Sequence, residues 1–367
     1  MASLTELGES LHMTMERAGL IPEIEEYNLD QDPGRVTYGH GFPITGVEKF
    51  LGYADSVMNI ANFPSISITT NFMQTHAFCQ GLREGGRDHV VLDGQVEDKY
   101  SKRAEKALNY FKSLFGITGS FRFFIQRDRK YKEAKGIGES ASIAAAVARS
   151  LVSNVFGTDA SKDAVFTSRI ARLVSGSGTR SVAGGLSMWL SYPSIREKMS
   201  FGFKLADFRR EIAIAAVPAR SRVRTEDAHL AALKSIFYDR WAHGKFPSCQ
   251  SIAMDRKLPE DIMRIAEEDF YRINAVLMSA GSIIQDSSSL EIIAKILEFR
   301  KRNDGLYFTT DTGPTIILMS GDRKIIEEFS DYSGIEVVMG EITSSTPSSI
   351  PENRYRTAID YFSSIKD

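Results

Sequence analysis

Strand-like and helical stretches follow one another along this chain without regular alternation, and near residue 200 the series starts over. Such an order dictates α+β layers and excludes a regular βαβ array. From Val36 onward, 65–70 (SISITT), 89–94 (HVVLDG) and 120–126 (SFRFFIQ) read as strands, and the alternation in SISITT is that of a half-buried one. Ala104, Ala107, Leu108, Phe111, Leu114 and Phe115 recur at helical spacing, and Gly116 ends the run. An alanine-rich helix is expected from about Ser140 to Phe156. Asp159 and Ser161 are placed to cap a following helix through Ile170, and 185–191 (GLSMWLS) reads as a strand. After Phe203 come strand EIAIAAV, a helix at 226–241 and a helix opening on Pro259, a residue suited to the first helical position. A helix at 290–299, strands YFTT and TIILMS, a helix at 323–329 and strand IEVVMG complete the set, with EITSSTPSSIPENR as a polar loop. The expected division is an N-terminal extension at 1–35, helical up to Gly19, a first domain at 36–202 and a second at 203–367.

The 367 residues are 43% hydrophobic and 25% charged, the balance of a soluble globular protein. A net charge of -2 supplies no global field for nucleic acid or acidic lipid, so an anionic substrate has to be gathered by a local cluster. Cys79 and Cys249 have no CxxC spacing, which argues against a disulfide framework and for a reducing cytoplasm. The opening MASLTELGESLHMTMERAG carries acids early and lacks the apolar region of a signal peptide, and no apolar run approaches the roughly 20 residues that span a bilayer. GxxxxGK[ST], HExxH, paired CxxC and GxSxG are all absent, so a P-loop, a zinc site and a nucleophile elbow have no basis, and no metal ligands are expected.

Three segments carry candidate chemistry. In KGIGESASIAAAVARS (135–150) a glycine turn feeds a helix whose first turn holds Ser140 and Ser142; free N–H groups and the positive dipole end suit an anion. The plainer reading is a loop before a packing helix. In ARLVSGSGTRSVAGGLSMW (171–189) Ser175 and Ser177 alternate with glycines ahead of Arg180, whose guanidinium forks onto carboxylate or phosphate. The plainer reading is a Gly/Ser linker, against which stand the apolar flanks and Trp189. In YFTTDTGPT (307–315) a strand delivers Asp311 into a tight turn, where an aspartate serves either chemistry or the turn itself.

Together these segments resemble the mevalonate diphosphate decarboxylase branch of the GHMP superfamily, over nearly the whole chain after residue 40. GIGESAS is similar to that family's GLASSA phosphate loop, SGSGTRSVAGGLSMW to SGSACRSLFGGFVxW, and FTTDTGPT to FTxDAGPN. ITGVEKFLGYADSVMNIANFPSISIT is similar to the segment around IKYWGKR…LPxNSSISVT. The resemblance implies the two-domain GHMP kinase-like α+β fold, with the active site in the cleft between domains, and an often homodimeric assembly. It implies that Lys49 matches the first lysine of KYWGK, that Ser175, Ser177 and Arg180 hold the carboxylate and phosphates of the substrate, and that Asp311 stands beside the C3 oxygen. Ser140 and the arginines of VPARSRVRTED (Arg220, Arg222, Arg224) fall where the family contacts phosphate; the plainer reading of those arginines is a solvated face.

The departures are informative. Glu139 replaces a serine of GLASSA, where a carboxylate repels a nucleotide phosphate. RDRKYKEAK replaces the usual approach to that loop, and Leu51 and Tyr53 replace the tryptophan and second lysine of KYWGK. The substrate side is retained while the nucleotide side is degraded. This points to a decarboxylase that takes mevalonate already phosphorylated at C3 and C5, giving isopentenyl phosphate, CO2 and phosphate without ATP or magnesium, as in the archaeal variant of the pathway. The alternatives are an ATP-dependent phospho- or diphosphomevalonate decarboxylase, a mevalonate kinase, and an inactive paralogue that acts as a binding protein.

Overall fold

β-Branched and aromatic residues gather into three four-stranded sheets and one two-stranded ribbon in the computed structural model, which describes residues 2–83, 87–96, 98–131, 137–219, 225–255, 257–344 and 349–365. The first sheet runs Val36–Gly41, Met73–Leu82, Ser120–Arg129, His89–Leu92; only the last strand is parallel to its neighbour. The second is antiparallel, in the order Gly202–Ala206, Leu186–Trp189, Ser65–Thr69, Ile44–Glu48. The third, also antiparallel, runs Leu306–Thr309, Ile316–Ser320, Ala213–Val217, Val338–Gly340.

Helix Glu139–Phe156 is buried at every position from Ala141 to Phe156. Its alanines let it lie close against the first sheet on one side and helix Ala164–Val174 on the other, which is why small residues fill it. Helices Tyr238–Met254 and Pro259–Ser279 cover the second sheet: Trp241, Phe246, Ile262 and Ile273 share one core with Ile66, Ile68, Leu186 and Met188. Residues from both halves of the chain thus share one of the apolar clusters, and strand Gly202–Ala206 is paired into the second sheet.

Four local expectations are corrected. Ser65–Thr69 is buried on both faces, because helices cover the sheet on either side. The helix after Phe156 is capped by Asp163, whose Oδ1 accepts the N–H groups of Val165 and Phe166 at 2.8 and 3.1 Å; Asp159 sits in a separate short helix, Thr158–Lys162. The helix read at 226–241 is two, Thr225–Ala232 and Tyr238–Met254, because Ser235 Oγ takes the Phe237 N–H at 3.0 Å and also meets Ser279 Oγ at 2.6 Å. Past the polar loop, helix Glu352–Ser364 returns to the first sheet, where Ala358 and Phe362 pack on Phe78, Val91 and Phe124.

Candidate functional site

Charged side chains enter the interior only where partners meet them, and at the seam between the second and third sheets several do. Lys49 follows the end of strand Ile44–Glu48 and is only 5% exposed. Its Nζ donates to Thr309 Oγ1 at 2.8 Å and to the Ala266 carbonyl at 3.4 Å, and lies 3.7 Å from Asp269 Oδ2. Asp311 comes two residues past strand Leu306–Thr309, half-buried, and its Oδ1 accepts the Gly46 N–H at 2.9 Å. Only glycine fits at 46: a Cβ there would sit 2.6 Å from Lys49 Cγ and 3.1 Å from Asp311 Oδ1.

Arg180 rides on the short helix Gly178–Ala183, 2% exposed, with its guanidinium 5.4 Å from the centre of the Phe50 ring. Its Nε is buried without a hydrogen-bond partner among the described residues. Ser175 and Ser177, with hydroxyls 3.0 Å apart, form the turn into this helix. The turn is packed structure and not a linker: a Cβ on Gly176 would strike the Trp189 ring at 2.6 Å. Phe50 stands edge-on to Trp189 at 4.9 Å, and Tyr53 stacks on His229 at 4.8 Å, while His229 Nδ1 accepts the Gly52 N–H at 2.9 Å.

The electrostatics bind these groups together. Burial pushes the Asp311 carboxyl up, against the opposing pull of the Lys49 ammonium, the Gly46 N–H and the Arg180 guanidinium. Burial lowers Lys49, opposed by the charges of Asp269 and Asp311, and brings Arg180 down to about 10, opposed by Asp311. A buried cation on either side of a carboxylate can hold a multiply charged anion and place negative charge against a cationic centre.

Behind Lys49 lies a network that the motifs did not reveal. Lys245, 2% exposed, bonds Glu48 Oε2 at 2.5 Å and also bonds Asp269; Ser248 donates to Glu48; and Asp269 accepts the Lys49 N–H at 2.8 Å and the Trp241 Nε1–H at 3.2 Å. Burial raises Glu48 in spite of Lys245; Asp269 is held low because Lys245 and Lys49 outweigh its burial. Lys49 and Asp269 are 220 residues apart in sequence, so no spacing rule could join them.

Ser140 is exposed in the first turn of helix Glu139–Phe156, and no hydrogen bond links it to this cluster among the described residues. Arg220, Arg222 and Arg224 lie outside the described residues. Glu139 differs from the bare carboxylate expected: its oxygens take Arg129 Nε at 2.8 Å and Arg127 Nη1 at 3.1 Å, and Asp93 joins the same pair of arginines. An apolar cavity of about 60 Å³, lined by Leu108, Phe123, Ile143, Leu151 and neighbours, lies among the helices on the first sheet and offers no chemistry.

Residues 42–200 match the diphosphomevalonate decarboxylase-like N-terminal domain. The mevalonate 3,5-bisphosphate decarboxylase of Thermoplasma acidophilum is 42% identical over 361 residues, 98% of this chain and 89% of that protein. The enzyme of the same name from Thermoplasma volcanium is 40% identical over 322 residues, 88% of this chain and 86% of its own. The fold is shared with a solved mevalonate diphosphate decarboxylase of Enterococcus faecalis, with a TM-score of 0.74 at 21% identity over 85% of this chain and 98% of that one. It is shared also with the mevalonate-3-kinase of Thermoplasma acidophilum, with a TM-score of 0.69 at 17% identity over 86% and 98%.

Proposed function

The chain belongs to the mevalonate 3,5-bisphosphate decarboxylase family, and from that premise we propose that it converts mevalonate 3,5-bisphosphate to isopentenyl phosphate, CO2 and phosphate, and needs no ATP. The observation that carries the reading is the convergence of buried Lys49 and buried Arg180 on the half-buried Asp311. Loss of CO2 needs an electron sink at C3. Departure of the C3 phosphate leaves positive charge there, and the electrons of the C–CO2 bond then form the alkene. Asp311 faces the growing charge; Lys49 neutralises the departing phosphate; Arg180, with Ser175 and Ser177, fixes the carboxylate. Asp311 removes no proton, because a phosphorylated C3 carries no hydroxyl.

The nucleotide side supports independence from ATP. Arg127 and Arg129, at the end of strand Ser120–Arg129 and facing Glu139, are already engaged by Asp93 and Glu139, so a polyphosphate has to displace internal carboxylates to use them. Calorimetry of the apo protein with ATP and magnesium is expected to show no micromolar binding, and CO2 release from the bisphosphate is expected to be unchanged when ATP is added. Tight ATP binding, with CO2 released from mevalonate 5-diphosphate only when ATP is present, would restore an ATP-dependent decarboxylase.

The reaction should also carry a pH signature. The working form of Asp311 is ionised, and burial raises its pKa, so activity is present above the raised value and lost as pH falls through it. The acid limb of kcat is therefore expected above the ordinary aspartate value of about 4 and to be missing from the residual rate of Asp311→Asn. A limb that survives in that variant would assign it to another group. The reading further includes a homodimer, checked by sedimentation, and a reducing cytoplasm, consistent with Cys79 and Cys249 lying unpaired in separate parts of the core.

A further inference from the structure

Strand Ser65–Thr69 has two faces. Ile66 and Ile68 enter the core under the helices of the second half, so Ser65, Ser67 and Thr69 point the other way. Residues paired directly across an antiparallel sheet share a face, and Ser67 is paired with Gly46 on one side and Ser187 on the other. What this face meets is fixed by its neighbours. The Cβ position of Gly46 points at Asp311 Oδ1 and Lys49 Cγ. Ser187 Oγ and Thr69 Oγ1 donate to the carbonyl of Arg180, at 3.1 and 3.4 Å. Ser67 therefore lies between the Asp311–Lys49 pair and the helix that carries Arg180.

All three hydroxyls of this face around Arg180, those of Ser67, Thr69 and Ser187, belong to residues that are 0% exposed. Thr69 and Ser187 have partners. Ser67 Oγ and, farther along the strand opposite Trp189, Ser65 Oγ have none among the described residues, and of the two only Ser67 is paired with Gly46 and Ser187. Arg180 Nε, also buried, has none among them either. Buried hydroxyls are ordinarily bonded, and a donor left unsatisfied next to a cluster built for anions is explained by a bond made only when the anion is there.

We propose that Ser67 is a substrate-binding residue, its hydroxyl donating to an oxyanion at the reacting end of the substrate, held between Lys49 and Arg180. The proposal rests on the decarboxylase reading of this site and adds a contact to it. The oxyanion is the carboxylate or the C3 phosphate, and the choice of ligands in the test separates them.

The test is Ser67→Ala, with KM, kcat, the apo Tm, and the affinities for mevalonate 3,5-bisphosphate, mevalonate 5-phosphate and isopentenyl phosphate. Removing an unsatisfied buried hydroxyl should leave the apo Tm unchanged or raise it, while the bisphosphate KM and Kd rise about tenfold or more, as for loss of a hydrogen bond to a charged group. Isopentenyl phosphate, which lacks both the C1 carboxylate and the C3 phosphate, should bind as to the wild type. A loss shared by mevalonate 5-phosphate assigns the bond to the carboxylate; a loss confined to the bisphosphate assigns it to the C3 phosphate. Affinities within twofold of wild type, an equal loss for isopentenyl phosphate, or a lowered apo Tm with unchanged KM would each overturn the proposal. Wild-type protein that binds the bisphosphate but releases no CO2 removes the reaction and leaves the binding comparison decisive.

Discussion

Asp311→Asn is expected to fold as the wild type does and to lose on the order of 100-fold or more in kcat, the usual cost of removing one preorganised electrostatic group. The asparagine keeps the shape, and its carbonyl oxygen can still accept the Gly46 N–H that Asp311 Oδ1 accepts at 2.9 Å. What it loses is the charge. Burial already disfavours the ionised carboxyl, so the apo protein should not be destabilised by neutralising it. Lys49 keeps Asp269 as a counter-charge, whereas Arg180, whose main stabilising charge is Asp311, loses it. These two effects oppose each other, so the variant should show a collapsed kcat with only a small shift in Tm. Turnover within a few-fold of wild type would remove Asp311 from the chemistry.

Lys245→Met should have the largest effect on stability. Lys245 is shared between Glu48 and Asp269, and all three residues are nearly sealed from water. Methionine fills much of the volume but leaves two buried carboxylates facing each other, and breaking such a group by removing one partner costs about 3–5 kcal/mol. For a chain of this length that corresponds to a fall in apparent Tm of roughly 5 °C. The sign of the pH dependence is fixed. Without Lys245 the folded-state pKa of Glu48, already raised by burial, rises further. A carboxyl raised on folding contributes stability at low pH that is lost as pH rises through the folded value. The deficit relative to wild type should therefore be larger at pH 8 than at pH 5. Melting curves that superimpose on wild type at both values would show that the network carries no net stability.

The parts of the site legible in the sequence were those fixed by local geometry. Lys49 and Asp311 stand just past strand ends, and Arg180 follows a serine–glycine turn, so short motifs locate all three. Lys245 and Asp269 were not legible, because each is an ordinary residue in its own helix and acquires its role only from partners far along the chain. Ser67 sat inside a segment read as a half-buried strand, and its hydroxyl became notable only once helices were seen to cover both faces. The same logic governs the fold. Strand and helix types were readable from periodicity, but the break after Ala232 depends on Ser235 meeting Ser279, and the cap at Asp163 won over Asp159 through two backbone N–H groups. Glu139 was read from its type alone, and its two arginine partners change what it does.

The return of helix Glu352–Ser364 to the first sheet has a consequence for the order in which the protein is made. Arg122 on that sheet bonds the carbonyl of Phe362, a residue 240 positions later in the chain. At a synthesis rate of roughly 5–20 residues per second, that interval is about 10–50 s. Throughout it the aromatic surface around Phe78 and Phe124 waits on the ribosome without its cover. The nascent chain thus presents a sticky face for far longer than a small domain takes to collapse. Chains stalled or clipped before residue 352 are the ones expected to aggregate, even though Lys49, Asp311 and Arg180 lie away from that sheet.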